Sequence, residues 1–127
     1  MYPGHHATQH PDRPAFVMAS TGQAVTYAEF EARANRLAHV LQAQGLHRCD
    51  HYSIFMENND RYLESCAAGE RSGLYYTCIN SYLTASEMAY IVNNSRSEVL
   101  NTSTERLPIV EEAVAEFENI RLIVVCG

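Results

Sequence analysis

This 127-residue chain contains no lysine and no tryptophan. Its nine basic residues are all arginine, so chemistry that depends on an ε-ammonium group is excluded. Glycine is scattered, at 4, 22, 45, 69, 73 and 127. A dinucleotide fingerprint or a P-loop needs clustered glycines between strand and helix, where backbone amides approach phosphate, and neither is present. The four cysteines, Cys49, Cys66, Cys78 and Cys126, form no Cys-x-x-Cys pair. No Gly-x-Ser-x-Gly elbow marks a nucleophile. No apolar run approaches the ~20 residues of a membrane helix. The opening MYPGHHATQHPDRP is polar and proline-bearing, unlike a signal peptide or membrane anchor. The expectation is a cytoplasmic protein with reduced thiols and no transmembrane segment.

A basic face is also missing. The net charge is -6, and the arginines are interspersed with acids such as Glu29, Glu31, Glu64 and Glu70. Phosphate neutralisation supplies most nucleic-acid affinity, so neither nucleic-acid binding nor adhesion to an anionic membrane is expected. Apolar residues make up 46% of the chain and charged residues 19%, which suits one globular domain rather than a disordered segment.

What is present is alternation. Residues 1–14 read as an extended arm. Ala15 to Met18 and Ala24-Val25, joined through Gly22, read as a small hairpin. Thr26-Tyr27-Ala28-Glu29 has capping-box spacing and opens a helix from Tyr27 to Gln44. Tyr27, Phe30, Ala34, Leu37, Ala38 and Leu41 form its apolar stripe, Glu31, Arg33, Arg36 and Gln42 face away, and Gly45 closes it. Then come a strand from Tyr52 to Met56, a helix from Arg61 to Ser72 stopped by Gly73, and a strand from Leu74 to Ile79. A second capping box, Thr84 to Glu87, opens a helix that stops at Asn93-Asn94. A weak strand from Glu98 to Thr102, a helix from Pro108 to Phe117 and a strong strand from Ile120 to Val125 complete the pattern. The fold class is α/β: an N-terminal hairpin, then alternating strands and helices forming a mostly parallel sheet.

Chemistry-bearing residues are few. His47-Arg48-Cys49-Asp50-His51 is the densest set of metal-capable side chains, but it lacks a separated partner pair and reads as a polar turn. His5, His6 and His10 sit in the arm. Cys66 and Cys78 fall on apolar faces and read as packed thiols. Tyr75 and Tyr76 read as core, with pocket-lining by them and Tyr82 as the alternative. No catalytic, cofactor-binding or metal-ligating residue is assigned.

Several ordered segments resemble a known family. Thr26-Tyr27-Ala28-Glu29-Phe30, followed by Ala34-Asn35-Arg36-Leu37-Ala38, is similar to the first helix of acyl-CoA synthetases and their adenylating relatives. His10-Pro11-Asp12-Arg13-Pro14-Ala15 resembles the lead-in. Gly73 through Asn80, then Leu83-Thr84, Glu87 and Tyr90-Ile91, resembles that family's strand, loop and next helix. The similarity spans most of the chain and is closest to fatty-acid–CoA ligases.

The resemblance implies an incomplete N-terminal lobe of an adenylate-forming enzyme, with residues 1–127 a portion of its large domain. It implies a ligase of fatty acid metabolism: a carboxylate attacks ATP to give an acyl-adenylate, and CoA then displaces AMP. ATP, magnesium and CoA are implied for a full-length relative, together with a Ser/Thr/Gly-rich phosphate loop and lysines. None of those motifs has a matching position here, so this chain alone is expected to be inactive and to carry no cofactor. Fatty acid and CoA become partners only with downstream sequence. The alternative is a non-catalytic binding or regulatory module that pairs with itself or with a full-length synthetase. Two positions depart from the family pattern: Cys49, where relatives commonly place glycine in a tight turn, and Asn101, where they continue an apolar strand.

Overall fold

The computed structural model describes residues 2–127. The first element, α1 (Pro3–Gln9), corrects the expected extended arm. Pro3 lies in the first helical turn, where its missing amide costs no hydrogen bond. A seven-residue helix cannot persist alone, and α1 is held by packing on the next helix, with the His6 ring stacked on Tyr27 at 4.9 Å. Tertiary contact of this kind leaves no periodic signal in sequence.

The expected hairpin is present as β1 (Pro14–Val17) and β2 (Ala24–Thr26), paired antiparallel, with Gly22 at φ 74° in the connection. The helix α2 (Tyr27–Ala43) starts at a complete capping box: the Thr26 hydroxyl accepts the Glu29 amide, and the Glu29 carboxylate accepts the Thr26 amide. Gly45 ends it at φ 85°. The apolar stripe buries Phe30, Ala34, Ala38 and Leu41.

From there the chain builds one parallel four-stranded sheet. Its strands are β3 (His51–Phe55), β4 (Tyr75–Cys78), β5 (Val99–Ser103) and β6 (Leu122–Cys126), in the order β4-β3-β5-β6. The connecting helices are α3 (Tyr62–Ser72), α4 (Ala85–Asn94) and α5 (Leu107–Ala113), the last extended by a 3-10 turn at Val114–Glu116. Alternate strand residues feed two cores. Tyr52, Ile54, Met56 and Val99 meet α2 and α3 through Ala38, Leu41 and Ala68. Phe55 and Leu100 meet α4 and α5 through Met88, Ala89, Val92, Val110 and Ala113.

The two faces explain where the strand expectations shift. The segment that reads as weak, β5, is the best buried strand, every residue of it inside, because it lies between β3 and β6. One of its polar residues finds a partner in the neighbouring strand: Thr102 Oγ1 donates to the Phe55 carbonyl at 2.7 Å. The segment that reads as strong, β6, is an edge. Tyr75 does not form core, since β4 is the opposite edge: it is 60% exposed and stacks on His51, while Tyr76 is half-buried and packs against the core. Cys78, at the end of the same edge strand, is exposed rather than packed.

Two charges expected to face solvent instead fix α2 to α3. The Arg71 guanidinium donates to both Glu31 oxygens, at 2.6 and 2.8 Å, and Arg33 donates to Asp60 at 3.1 Å. Hydrogen bonds from Arg71 hold the Glu31 carboxyl below the usual carboxylate range. A helix that packs on a sheet and on a neighbouring helix buries more of its circumference than one apolar stripe predicts.

Cys49 occupies the left-handed region at φ 74°, in the turn that leads into β3, where its amide donates to the Gly73 carbonyl at 2.8 Å. A side chain there costs about 1–2 kcal/mol, against about 0.5–1 kcal/mol for the extra freedom of an unfolded glycine. Cys49→Gly should therefore raise the unfolding free energy by about 0.5–1 kcal/mol. Urea titration checks this as a higher midpoint at unchanged slope.

Candidate functional site

In a sheet of this kind, ligands gather outside the carboxyl ends of the strands, where successive connections leave toward opposite faces. Here that point lies between β3 and β5, because α3 follows β3 on one face and α5 follows β5 on the other. A crevice of about 480 Å³ opens there, lined by Glu57, Asn58, Tyr62, Asn80, Tyr82 and Arg106 among others. Tyr82 is 87% exposed, and its ring lies 5.9 Å from the Arg106 guanidinium.

Glu57 is the centre of this crevice. Its carboxylate accepts from Ser103 Oγ at 2.5 Å and from Asn59 Nδ2 at 2.9 Å, with Arg106 Nε at 4.0 Å. Burial is the largest single influence and pushes the carboxyl up. The hydrogen bonds from Ser103 and Asn59, with the Arg106 charge, outweigh it and leave Glu57 below its ordinary range. The group is an ionised anchor and not a poised general base. Ser103 is buried, so its hydroxyl is closed to a substrate.

The donor set does not fit a nucleoside triphosphate. Phosphate sites at strand ends use unpaired amides at helix N-termini. Here one amide at the start of each helix is already engaged: Asn59 Oδ1 accepts from Arg61 N–H at 2.9 Å, Ser103 Oγ from Arg106 N–H at 3.2 Å, and Thr84 Oγ1 from Glu87 N–H at 3.4 Å. The loops add the acids Glu57, Asp60 and Glu105, which repel phosphate, and no glycine lets a backbone approach. Among the described residues there is also no group of three or more His, Cys, Asp or Glu able to hold a metal ion. The His47–His51 segment folds as a turn closed by the Asp50 carboxylate, which accepts the His47 amide at 2.6 Å.

A second, smaller cleft of about 160 Å³ is bounded by α2, α3, β5 and β6. Leu37, Val40, Met56 and Val124 give it apolar walls, and Arg33, Arg36, Arg61, Glu64 and Asn101 line it as well. Asn101 is 1% exposed, and neither end of its amide has a hydrogen-bond partner among the described residues. Burial raises the Glu64 carboxyl above its ordinary range, only partly offset by Arg61 and Arg33. Strand alternation predicts that Asn101 faces a core, but no sequence signal shows that it lacks a partner.

The family model that matches this chain is that of the AMP-binding enzymes, over residues 4–126. The chain is 31% identical over 110 residues to the fatty acid–[acyl-carrier-protein] ligase ScoC of Streptomyces coeruleorubidus, covering 87% of this chain and 21% of that protein. It is equally similar to the long-chain-fatty-acid–CoA ligase FadD13 of Mycobacterium tuberculosis, at 31% over 110 residues, covering 87% of this chain and 22% of that one. The fold superposes on the N-terminal domain of FACL13 from Mycobacterium tuberculosis with a TM-score of 0.88 at 26% identity, covering 98% of this chain and 33% of that domain. The architecture is thus that of an N-terminal acyl-CoA synthetase segment. The chain belongs to the AMP-binding enzyme family, and it spans about a fifth of the length of the curated relatives it matches.

An unpaired buried amide costs about 1–3 kcal/mol. Asn101→Val removes it in favour of a near-isosteric, strand-compatible side chain, and should raise stability by a similar amount, about 1–3 kcal/mol. Thermal and urea unfolding of the two proteins side by side check the sign and the size.

Proposed function

We propose that residues 1–127 form the N-terminal portion of the large domain of a fatty-acid–CoA ligase, and that this chain alone does not activate carboxylic acids. The observation that carries the reading is the occupied state of the strand-end amides. In a domain whose family handles ATP, one backbone amide at each of the three helix starts nearest the crevice is already bonded to the chain's own Asn59, Ser103 or Thr84. The absence of lysine points the same way, since no ammonium is available to hold an acyl-adenylate. ATP, magnesium and CoA, with the fatty acid, belong to the activity of a chain that also carries the family's phosphate loop. A cytoplasmic setting is part of the proposal: no helix of the described residues is long and apolar enough to cross a membrane.

The purified chain, mixed with ATP, magnesium, a long-chain fatty acid and CoA, should release no pyrophosphate and form no acyl-CoA. Turnover above the protein-free control would overturn the reading.

One observation favours the second reading, a module that pairs with itself. The edge strand β6, Leu-Ile-Val-Val-Cys, carries no charge, proline or glycine, the usual protections of an open edge. Antiparallel pairing of two copies about Val124 sets Leu122 opposite Cys126 and Ile123 opposite Val125, so apolar meets apolar on both faces. Sedimentation should then show a concentration-dependent dimer that Val125→Lys abolishes. A clean monomer at all concentrations removes this reading.

A further inference from the structure

The helix α3 runs antiparallel to β4, the edge strand it connects to, and one contact fixes their relative register. Tyr76 Oη donates to Glu70 Oε1 at 3.0 Å. Cys66 lies one turn before Glu70, about 6 Å back along the helix axis. Cys78 lies two residues beyond Tyr76, about 6.6 Å along the strand in the same direction and on the same face. The two displacements match, so Cys66 sits over Cys78. The pairing of Cys78 with Ile54 in the neighbouring strand confirms the face, since Ile54 belongs to the core layer against which Cys66 packs.

The pair is unequal. Cys78 is exposed and Cys66 is half-buried. Burial, with Cys78 as the next contributor, pushes the Cys66 thiol up to about 12. Tyr62, one turn before Cys66, is in contact with Cys78 as well and lines the strand-end crevice, as do Ile79 and Asn80 immediately after Cys78. The other two cysteines have no such neighbour: Cys49 is in the turn before β3, and Cys126 is on the opposite edge strand.

We propose that Cys66 and Cys78 form an oxidisable dithiol, a modification site for hydroperoxides that closes to a disulfide stapling α3 to β4. The exposed Cys78 sulfur attacks the peroxide O–O bond and becomes a sulfenic acid, while the hydroperoxide is reduced and leaves as an alcohol, or as water when hydrogen peroxide is used. The Cys66 sulfur then attacks the Cys78 sulfur, the S–O bond breaks, and water leaves. In sum the two thiols give up two electrons and two protons, and the peroxide takes them up. The sulfurs must close to about 2.05 Å. An edge strand can make that shift because no further strand holds its outer side. The staple forms beneath the Tyr62 wall of the crevice, so oxidation couples to the shape of the strand-end site. This inference rests on the α3–β4 packing alone and is independent of the proposed function.

The test treats the full chain with hydrogen peroxide, alkylates the remaining thiols and maps the peptides by mass spectrometry. The expected product joins the Cys66 and Cys78 peptides, leaves Cys49 and Cys126 alkylated, and reverts with dithiothreitol. Cys66→Ser should stop at a sulfenic acid on Cys78 that dimedone traps, and Cys78→Ser should leave Cys66 reduced. The proposal falls if the unsubstituted chain shows Cys78 driven to sulfinic acid while Cys66 is still alkylated, or if the cross-link involves Cys49 or Cys126. The mapping of the unsubstituted chain decides the matter even where a variant fails to fold.

Discussion

The seating of α3 on β3 is the constraint from which most of this structure follows. The Tyr52 hydroxyl, at the start of β3, donates to the Ser65 carbonyl inside α3, and both residues are buried. A helix carbonyl accepts such a bond only if the helix lies close on the sheet. Gly69, one turn further on, permits that approach: a Cβ built there would collide with the Tyr52 ring and hydroxyl. Burial raises the Tyr52 hydroxyl far above the ordinary phenol range, so it remains a proton donor at any pH the fold survives. Once α3 is seated, its outer flank presents Arg71 to Glu31, and α2 is fixed in turn. Its other flank presents Glu70 to Tyr76 and Cys66 to Cys78, and its first turn places Tyr62 at the crevice. The Cβ-free position and the phenol work together, and each is idle without the other.

Much of the fold was legible because it is written in local rules. Two capping boxes, at Thr26 and Thr84, set helix starts that the structure reproduces to the residue. Gly45 and Gly73 mark helix ends through left-handed conformations that glycine adopts without cost. Alternation of strand and helix is enough to predict a parallel sheet with two covered faces. What alternation cannot carry is lateral order, because strand sequence is the same whether a strand ends up central or at an edge. Hence β5, polar and unpromising, is the buried strand, and β4 and β6, rich in aromatic or aliphatic residues, are the edges. The misreading of Tyr75 and Cys78 as packed residues follows from this one gap. The helix α1 was missed for a related reason, since its stability is tertiary and its seven residues are too few for a period.

The crevice was less legible than the fold, and the cause is again physical. Its anchor, Glu57, is separated from Ser103 and Arg106 by more than forty residues, and nothing in their spacing along the chain announces that they meet. Asparagine is a common turn former, so Asn58, Asn59 and Asn80 carry no distinct signal of a site, and the structure uses Asn59 in a turn. The departures Cys49 and Asn101 were visible as departures from a family pattern. Their cost became visible only with coordinates: a left-handed φ in the first case, an amide without a partner in the second.

These features divide the molecule by function. Around the crevice, polar groups are paired among themselves: carboxylate with hydroxyl, amide oxygen with backbone amide, arginine with carboxylate. Such a site has already spent its hydrogen-bonding capacity on its own loops, and a charged ligand entering it would have to break bonds before making any. On the α2–α3 side the balance differs: the Asn101 amide and one Glu64 oxygen are buried without a hydrogen-bond partner among the described residues, in a cleft lined by Arg33, Arg36 and Arg61 as well as by Leu37, Val40 and Val124. The Asn101 amide carries two N–H donors and a carbonyl acceptor, and at 1% exposure water does not reach them, so their cost falls on the folded chain itself. Among the described residues, buried groups without a hydrogen-bond partner thus occur both on this flank, at Asn101 and Glu64, and at the strand ends, at Arg106 Nε.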